Sequence, residues 1–345
     1  MVATGAIMRE SSGTRGTQSG VLLTGGSGMV GRALVSELER RSIPVTQAVR
    51  GDAGRTSAAG AAPKDGRIFW QPNAPVPFAA PAQLEGFDVA IHLSGANLAG
   101  ARWTPAYKRE IVSSRTVSTT ALARTLAGLQ RPPRLLIAAS ATGIYGDRGD
   151  EVLAESSPAG HGFLSETCLA WEAATAPAAG IRVVHLRLGV VLDPAGGALA
   201  KVLPLFRAGL GGRLGGGQQW MSWIAIDDLV RAVMHIAGFG ADANTDANTP
   251  GVLPGPLPGT SLEGPVNCVS PLPVTNAEYT RALAGVLHRP ALIPAPAFAL
   301  RLALGEMADA ALLASCRAVP EKLLASGFPF RFAEISAALA HLLAC

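Results

Sequence analysis

The sequence is poor in charge and in aromatic rings: of its 345 residues only 16% are charged and 5% are Phe, Trp or Tyr. So little charge excludes a disordered polyelectrolyte, and 48% hydrophobic residues are ample for a buried core. With few rings, that core has to be aliphatic, as fully buried parallel strands favour. The net charge of +4 comes from scattered Lys and Arg with no basic stripe, which excludes a nucleic-acid footprint and leaves a solvated surface. Cys168, Cys268, Cys316 and Cys345 show no paired spacing, so neither a disulfide framework nor a metal site is expected. A reduced, cytoplasmic setting follows from that usage. No apolar run reaches the ~18 residues of a membrane span, so no membrane partner is expected. Residues 1–20 lack the apolar segment of a signal peptide and read as a disordered leader.

What is present is an alternation of strands and helices. Val21-Leu22-Leu23 reads as a strand, and residues 29–41 as a helix with Val30, Ala33, Leu34 and Leu38 at helical spacing. Further strands are read at 43–49, 67–70, 89–93, 135–139 and 182–188, with helices over 107–129 and around 168–176. Continuous aliphatic strands between helices predict a Rossmann-type doubly wound parallel sheet, an α/β fold, carried by residues 21–237. The alternation loosens from about residue 190, which predicts a smaller C-terminal substrate lobe. Residues 238–265 are rich in Gly, Pro, Asn and Asp and read as a flexible loop insertion. Residues 266–345 form the C-terminal lobe, with a helical C-terminal domain from about 293 and helices expected at 276–287, 297–313 and 333–343. Asp227-Asp228, just before an apolar helical run, reads first as a helix N-cap.

Between the first strand and the first helix lies Thr24-Gly25-Gly26-Ser27-Gly28-Met29-Val30-Gly31, with glycines at 25, 28 and 31. In a dinucleotide-binding turn one glycine bends the chain, the next admits the pyrophosphate, and the third lets helix pack on strand. The anion then rests on the helix N-terminus, where free N–H groups and the dipole favour negative charge. Gly25, Ser27, Gly28, Met29, Val30 and Gly31 are therefore candidate cofactor contacts. The second strand runs into Arg50, where an acidic residue would hold an NAD ribose diol. An arginine suits a 2′-phosphate, so NADP(H) is expected ahead of NAD(H), with Arg55 as further help. Leu93-Ser94-Gly95 closes the fourth strand at the edge where open α/β sheets bind ligands, while His92 reads as a packed core histidine.

Several strings in one order give a more specific resemblance. They are Arg102-Trp103-Thr104-Pro105, Ser140-Ala141-Thr142-Gly143-Ile144-Tyr145-Gly146, Gln219-Trp220-Met221-Ser222-Trp223-Ile224 and Leu304-Gly305-Glu306-Met307-Ala308. With the glycine-rich turn, they resemble the extended short-chain dehydrogenase/reductases. The closest likeness is to an atypical "epimerase family protein" branch that carries a C-terminal domain of unknown function. The resemblance implies a Tyr-x-x-x-Lys acid/base pair, yet the two positions here fall on Leu164 and Cys168, which cannot do that work. It also puts Arg115 where the family has an asparagine beside the cofactor. Arg187 falls where the family closes the cofactor pocket, and Val190 on a position that is asparagine in sugar-nucleotide enzymes.

Ser140 stands where a catalytic serine is expected. Tyr145 admits two readings, packing against the 143–149 loop or replacing the missing acid. Arg102, Trp103, Trp220, Met221 and Trp223 are candidate substrate contacts, with structural packing as the alternative for each. Two functions compete. One is an NADP(H)-dependent oxidoreductase acting on an unidentified small molecule. The other is a non-catalytic dinucleotide sensor. A monomer or homodimer is expected.

Overall fold

The computed structural model describes residues 20–51, 66–239 and 261–344. The expected leader up to residue 19, Arg55, most of the 238–265 insertion and Cys345 lie outside the described residues.

Seven strands form the central sheet: β1 Val21–Thr24, β2 Val45–Arg50, β3 Arg67–Trp70, β4 Val89–His92, β5 Leu135–Ala141, β6 Arg182–Leu188 and β7 Gly264–Cys268. Their order is β7-β6-β5-β4-β1-β2-β3. Every neighbouring pair is parallel, with Thr24 opposite Ala48 on one side and His92 on the other. The order reverses between β1 and β4, and the crevice at that switch is where doubly wound sheets take their ligands. The expected Rossmann-type fold is therefore observed. One strand went unread: β7 pairs with β6 although it lies beyond residue 237, so the sheet draws on what was expected to be insertion and C-terminal lobe. Gly264-Pro265 opens this strand and hides it, because Pro is rare inside paired strands.

Alternation along each strand feeds two cores. Val21 and Leu23 face α1 (Met29–Arg40), whose Leu34 and Leu38 are fully buried. Leu22 faces the opposite core, shared with Leu122 and Leu126 of α2 (Pro105–Ala127). Thr104 caps α2 by accepting from Tyr107 N, and Pro105 sits in its first turn, where a missing N–H costs nothing. α3 (Phe163–Ala173) follows β5. Beside the sheet, α4 (Gly197–Arg207) and α6 (Asn276–Leu287) pack with the last helix, Ile335–Leu343, around Leu203, Phe206, Trp223, Leu283 and Leu339.

α5 (Ile226–Ala237) begins after Ala225, with no side chain capping it. Asp227 and Asp228 lie in its first turn rather than at the N-cap. Asp228 is buried, pairs with Arg231 and accepts the backbone N–H groups of Arg331 and Phe332, tying the end of the chain to the sheet domain. The helix expected over 297–313 is broken. α7 (Ala297–Leu304) stops at Gly305, whose φ of +63° ends a helix readily, and a π-helical turn covers Ala308–Leu313. No helix among the described residues is long and apolar enough to cross a membrane.

Candidate functional site

The glycine-rich turn lies at the C-terminal end of β1 against the loop that leaves β4. Gly25 has φ +77°, and a Cβ there would stand 2.8 Å from the carbonyl carbon of Leu93. Only glycine lets the two loops touch. A Cβ on Gly31 would collide with Gly25 O, so glycine is also required for α1 to sit down on the turn. Gly28 differs: it has ordinary β dihedrals and a Cβ would meet only Gly25 O, at 3.3 Å. The space in front of it is open. No side chain caps α1 and its first turn holds no acid, so its N-terminus offers uncancelled positive potential beside exposed Ser27 and Gly28. Met29 and Val30 form that first turn, and Met29 packs under Gly196 and Gly197 at the start of α4. The turn is thus a cradle that side chains would fill, and it fits a dinucleotide pyrophosphate.

A cavity of about 740 Å³ continues from the end of β2, lined by Arg50, Gly51, Trp70, Gln71, Asn73, Glu110 and the α2 serines Ser113, Ser114 and Ser118. Trp70 forms a wall, stacked on Phe78 at 5.2 Å. Beneath the crevice runs a chain of hydroxyls. Ser94 Oγ donates to Thr24 Oγ1 at 3.1 Å, Thr24 hydrogen-bonds His92 Nδ1 at 2.6 Å, and His92 Nε2 meets Ser118 Oγ at 3.3 Å. Burial, with help from the Arg50 charge, lowers the His92 pKa to about 3, so the ring is neutral and structural. Arg115 lies below the same loop. Its guanidinium donates to Ile111 O and Ala96 O, sits 4.9 Å from the Trp171 ring, and comes within 3.3 Å of the Cβ position of Gly95. It props the Ser94–Ala96 turn from beneath.

Ser140, Tyr145 and Arg187 come together, but inside the protein. Ser140 is buried and donates to Glu172 Oε1 at 2.7 Å. Arg187 grips both Glu172 oxygens, at 2.9 and 3.0 Å, and also donates to Tyr145 O–H and Glu155 O. Tyr145 is 0% exposed, and its proton is directed to Asn267 Oδ1 at 2.7 Å, with Ala154 O at 3.0 Å. This geometry takes Ser140 out of direct chemistry, since its hydroxyl is buried and spent on Glu172, and it decides between the two readings of Tyr145 and corrects the reading of Arg187. Tyr145 packs and does not face the crevice, and Arg187 spends its donors on protein partners rather than on a cofactor. Burial raises the Tyr145 pKa, the reverse of what an acid near neutrality needs. Glu172 has its pKa lowered: burial pushes it up, and the hydrogen bonds from Arg187 and Ser140 outweigh that.

Leu164 and Cys168 occupy α3 as the sequence placed them. Leu164 lies against Gly143, 3.4 Å from its Cβ position. Cys168 is buried, and burial pushes its thiol up to about 12. Trp223 is fully buried with Nε1 on Leu272 O, and Trp103 is buried with Nε1 on Leu98 O and its ring edge-on to Phe163. Both belong to packing, which corrects their reading as substrate contacts. Trp220 is half-buried between Asp150, on its Nε1, and Arg317, 4.1 Å over its ring, and Met221 pairs with Val274. Arg102 is exposed and donates to Leu302 O at 3.4 Å. Sequence reasoning missed Trp70, the α2 serines and the Asn267–Glu155 partners. Only the serines carried a signal, three hydroxyls on one stretch of α2.

Fold and turn together define a dinucleotide-binding protein of the Rossmann class. The chain belongs to the NAD dependent epimerase/dehydratase family, which matches residues 21–248, and a domain of unknown function, DUF1731, matches residues 295–342. It is 38% identical over 323 residues to an epimerase family protein of Mycobacterium bovis, covering 93% of this chain and 96% of that one. The human epimerase family protein SDR39U1, solved with NADPH, is similar at a TM-score of 0.77 and 30% identity, covering 93% of this chain and 98% of that one. A nucleoside-diphosphate sugar epimerase of Corynebacterium glutamicum is similar at a TM-score of 0.69 and 35% identity, covering 94% of this chain and 58% of that one.

Proposed function

We propose that this chain is an NADP(H)-dependent oxidoreductase acting on a small molecule, working in the cytoplasm as a monomer or homodimer. The observation that carries the reading is Arg50, exposed on the rim of a cavity at the end of β2, the strand that pairs with β1 and its glycine-rich turn. A guanidinium at that place favours a 2′-phosphate over a bare ribose diol. The NADPH in the human relative supports the same choice.

When bound, the cofactor would supply a hydride. Gly25, Ser27, Gly28, Met29, Val30 and Gly31 would hold its pyrophosphate and Arg50 its 2′-phosphate, with Leu93, Ser94 and Gly95 of the loop after β4 as further contacts. Arg115 keeps that last turn in place. Ser140 and Arg187 are positioning groups: through Glu172 they lock the end of β5 to β6. With Tyr145 turned inward, the proton for a reduced carbonyl comes from water or from the substrate itself. Arg102, Trp220 and Met221 are the candidate substrate contacts that keep exposed surface.

A second reading, a dinucleotide sensor without turnover, is favoured by Leu164 and the un-ionised thiol of Cys168 at the acid/base positions. Mixing the protein with NADPH and a panel of aldehydes and ketones, and following cofactor absorbance, separates the two. Consumption of NADPH that depends on a carbonyl establishes the oxidoreductase. Tight NADPH binding with no consumption across the panel establishes the sensor.

A further inference from the structure

The domain after α6 presents apolar side chains to solvent. α7 has the sequence AFALRLAL and buries none of its residues. Phe298 and Leu302, one turn apart on it, are 72% and 76% exposed, and Leu292, just upstream, is 82% exposed. Ile293, Leu205 and Leu210 extend the patch, because Ile293 N donates to Gly211 O and Leu210 N to Leu205 O. Apolar side chains grouped this way mark an interaction surface.

The charge around the patch has one sign. Residues 194–226 and 279–305, the two segments that build it, contain Lys201, Arg207, Arg213, Arg281, Arg289 and Arg301 and not one Asp or Glu. Acidic groups stand at its borders: Asp193 and Asp227 beside the first segment, Glu278 and Glu306 beside the second, and Asp309, which pairs with Arg301 as Glu306 does with Lys108. Between the two segments lies an open cleft of about 400 Å³ lined by Arg213, Thr280, Arg281, Leu292 and Pro294. It sets two guanidinium-bearing residues beside the most exposed leucine.

We propose that this face docks the protein peripherally on a bilayer carrying anionic phospholipids. Phe298, Leu302, Leu292 and Ile293 would enter the headgroup boundary, and the arginines would meet lipid phosphates. Projecting apolar residues accompanied by cations are the pattern of interfacial anchoring, and each cation near such a surface adds its own attraction. Averaged over the chain the net charge is small, which is why composition predicts no membrane partner. Inside the two segments the balance is six cations to none, with Arg301 alone held by a bordering acid, Asp309. The face also meets the loop between β4 and α2 and the start of α2, since Leu302 O accepts from Arg102 and Glu306 holds Lys108.

Co-sedimentation with large vesicles tests this using the full chain. The protein should pellet with phosphatidylcholine vesicles that contain phosphatidylglycerol, pellet at least about tenfold less with phosphatidylcholine alone, and be released by high salt. A double variant, Phe298→Glu with Leu302→Glu, should lose that binding about tenfold or more while its melting temperature and NADPH affinity stay put. Arg207→Glu with Arg289→Glu should weaken it while leaving the fold intact. Equal pelleting with and without phosphatidylglycerol overturns the proposal, as does retained binding by the Phe298/Leu302 variant. A dimer in light scattering that the same variant dissolves, with no vesicle binding by wild type, assigns the face to a second copy and also overturns it.

Discussion

Glu172 receives Ser140 and both arms of Arg187, and Arg187 in turn reaches the Tyr145 hydroxyl. A buried carboxylate and guanidinium are worth keeping only when their hydrogen bonds are satisfied, and here one residue supplies several of the partners of each. Removing a member leaves others unpaired. Tyr145→Phe would strip Asn267 Oδ1 of its donor, at a cost of about 1–3 kcal/mol in denaturant unfolding. NADPH affinity and any turnover should not change. A fall in turnover at constant stability would instead return Tyr145 to the chemistry.

His92 gives a pH dependence whose sign is fixed by burial. Its folded pKa, about 3, lies below the ordinary 6.5, so between those values the unfolded chain binds a proton that the native state refuses. Stability is then lost as pH falls from about 6.5 toward 3, by up to about 1.4 kcal/mol per pH unit for this group. His185 and His235, also lowered by burial, add in the same direction. Urea unfolding at pH 7.5, 6 and 5 measures the slope. His92→Asn should reduce it by one group's share, and an unchanged slope would mean that His92 titrates normally.

At the scale of elements, the turn before α1 separates two kinds of glycine. Gly28→Val should leave the fold intact, because the dihedrals are ordinary and the space is open, while abolishing dinucleotide binding by filling the place of the pyrophosphate. Gly31→Ala should instead destabilise the protein, because its Cβ would collide with the backbone of Gly25. Circular dichroism with fluorescence titration of NADPH reads both outcomes. Bound NADPH in a folded Gly28→Val protein would place the cofactor elsewhere.

The same turn shows what sequence could carry. Its glycines, flanked by an aliphatic strand and an amphipathic helix, act locally, so the motif was legible from spacing alone. So were β3, β6 and α6, whose bounds agree with the reading. β7 was not legible, because its partner β6 lies some 80 residues earlier and a Pro obscures its start. The orientation of Tyr145, Trp103 and Trp223 was not legible either. Whether a ring faces a crevice or a core depends on which strands lie beside it, and that is tertiary information. Arg187 illustrates this most clearly, since a family position suggested a ligand contact and the neighbouring Glu172 took its donors.

For the whole molecule, the sheet supplies a crevice at its switch point, and the 291–320 segment ties the elements after β6 to the loop that follows β4. Ala295 bridges to Leu214, Arg102 donates to Leu302 O, and Cys316 N donates to Trp220 O. The account rests on that crevice taking a dinucleotide with a 2′-phosphate. Calorimetric titration of NADPH and of NADH into the wild type and into Arg50→Ala is the most direct test. NADPH should bind the wild type about ten- to a hundredfold more tightly, as expected of a charge-assisted guanidinium–phosphate contact worth roughly 1.5–3 kcal/mol, and Arg50→Ala should erase most of that difference while leaving NADH affinity unchanged. Equal affinity for the two cofactors, or selectivity that survives the loss of Arg50, would contradict it.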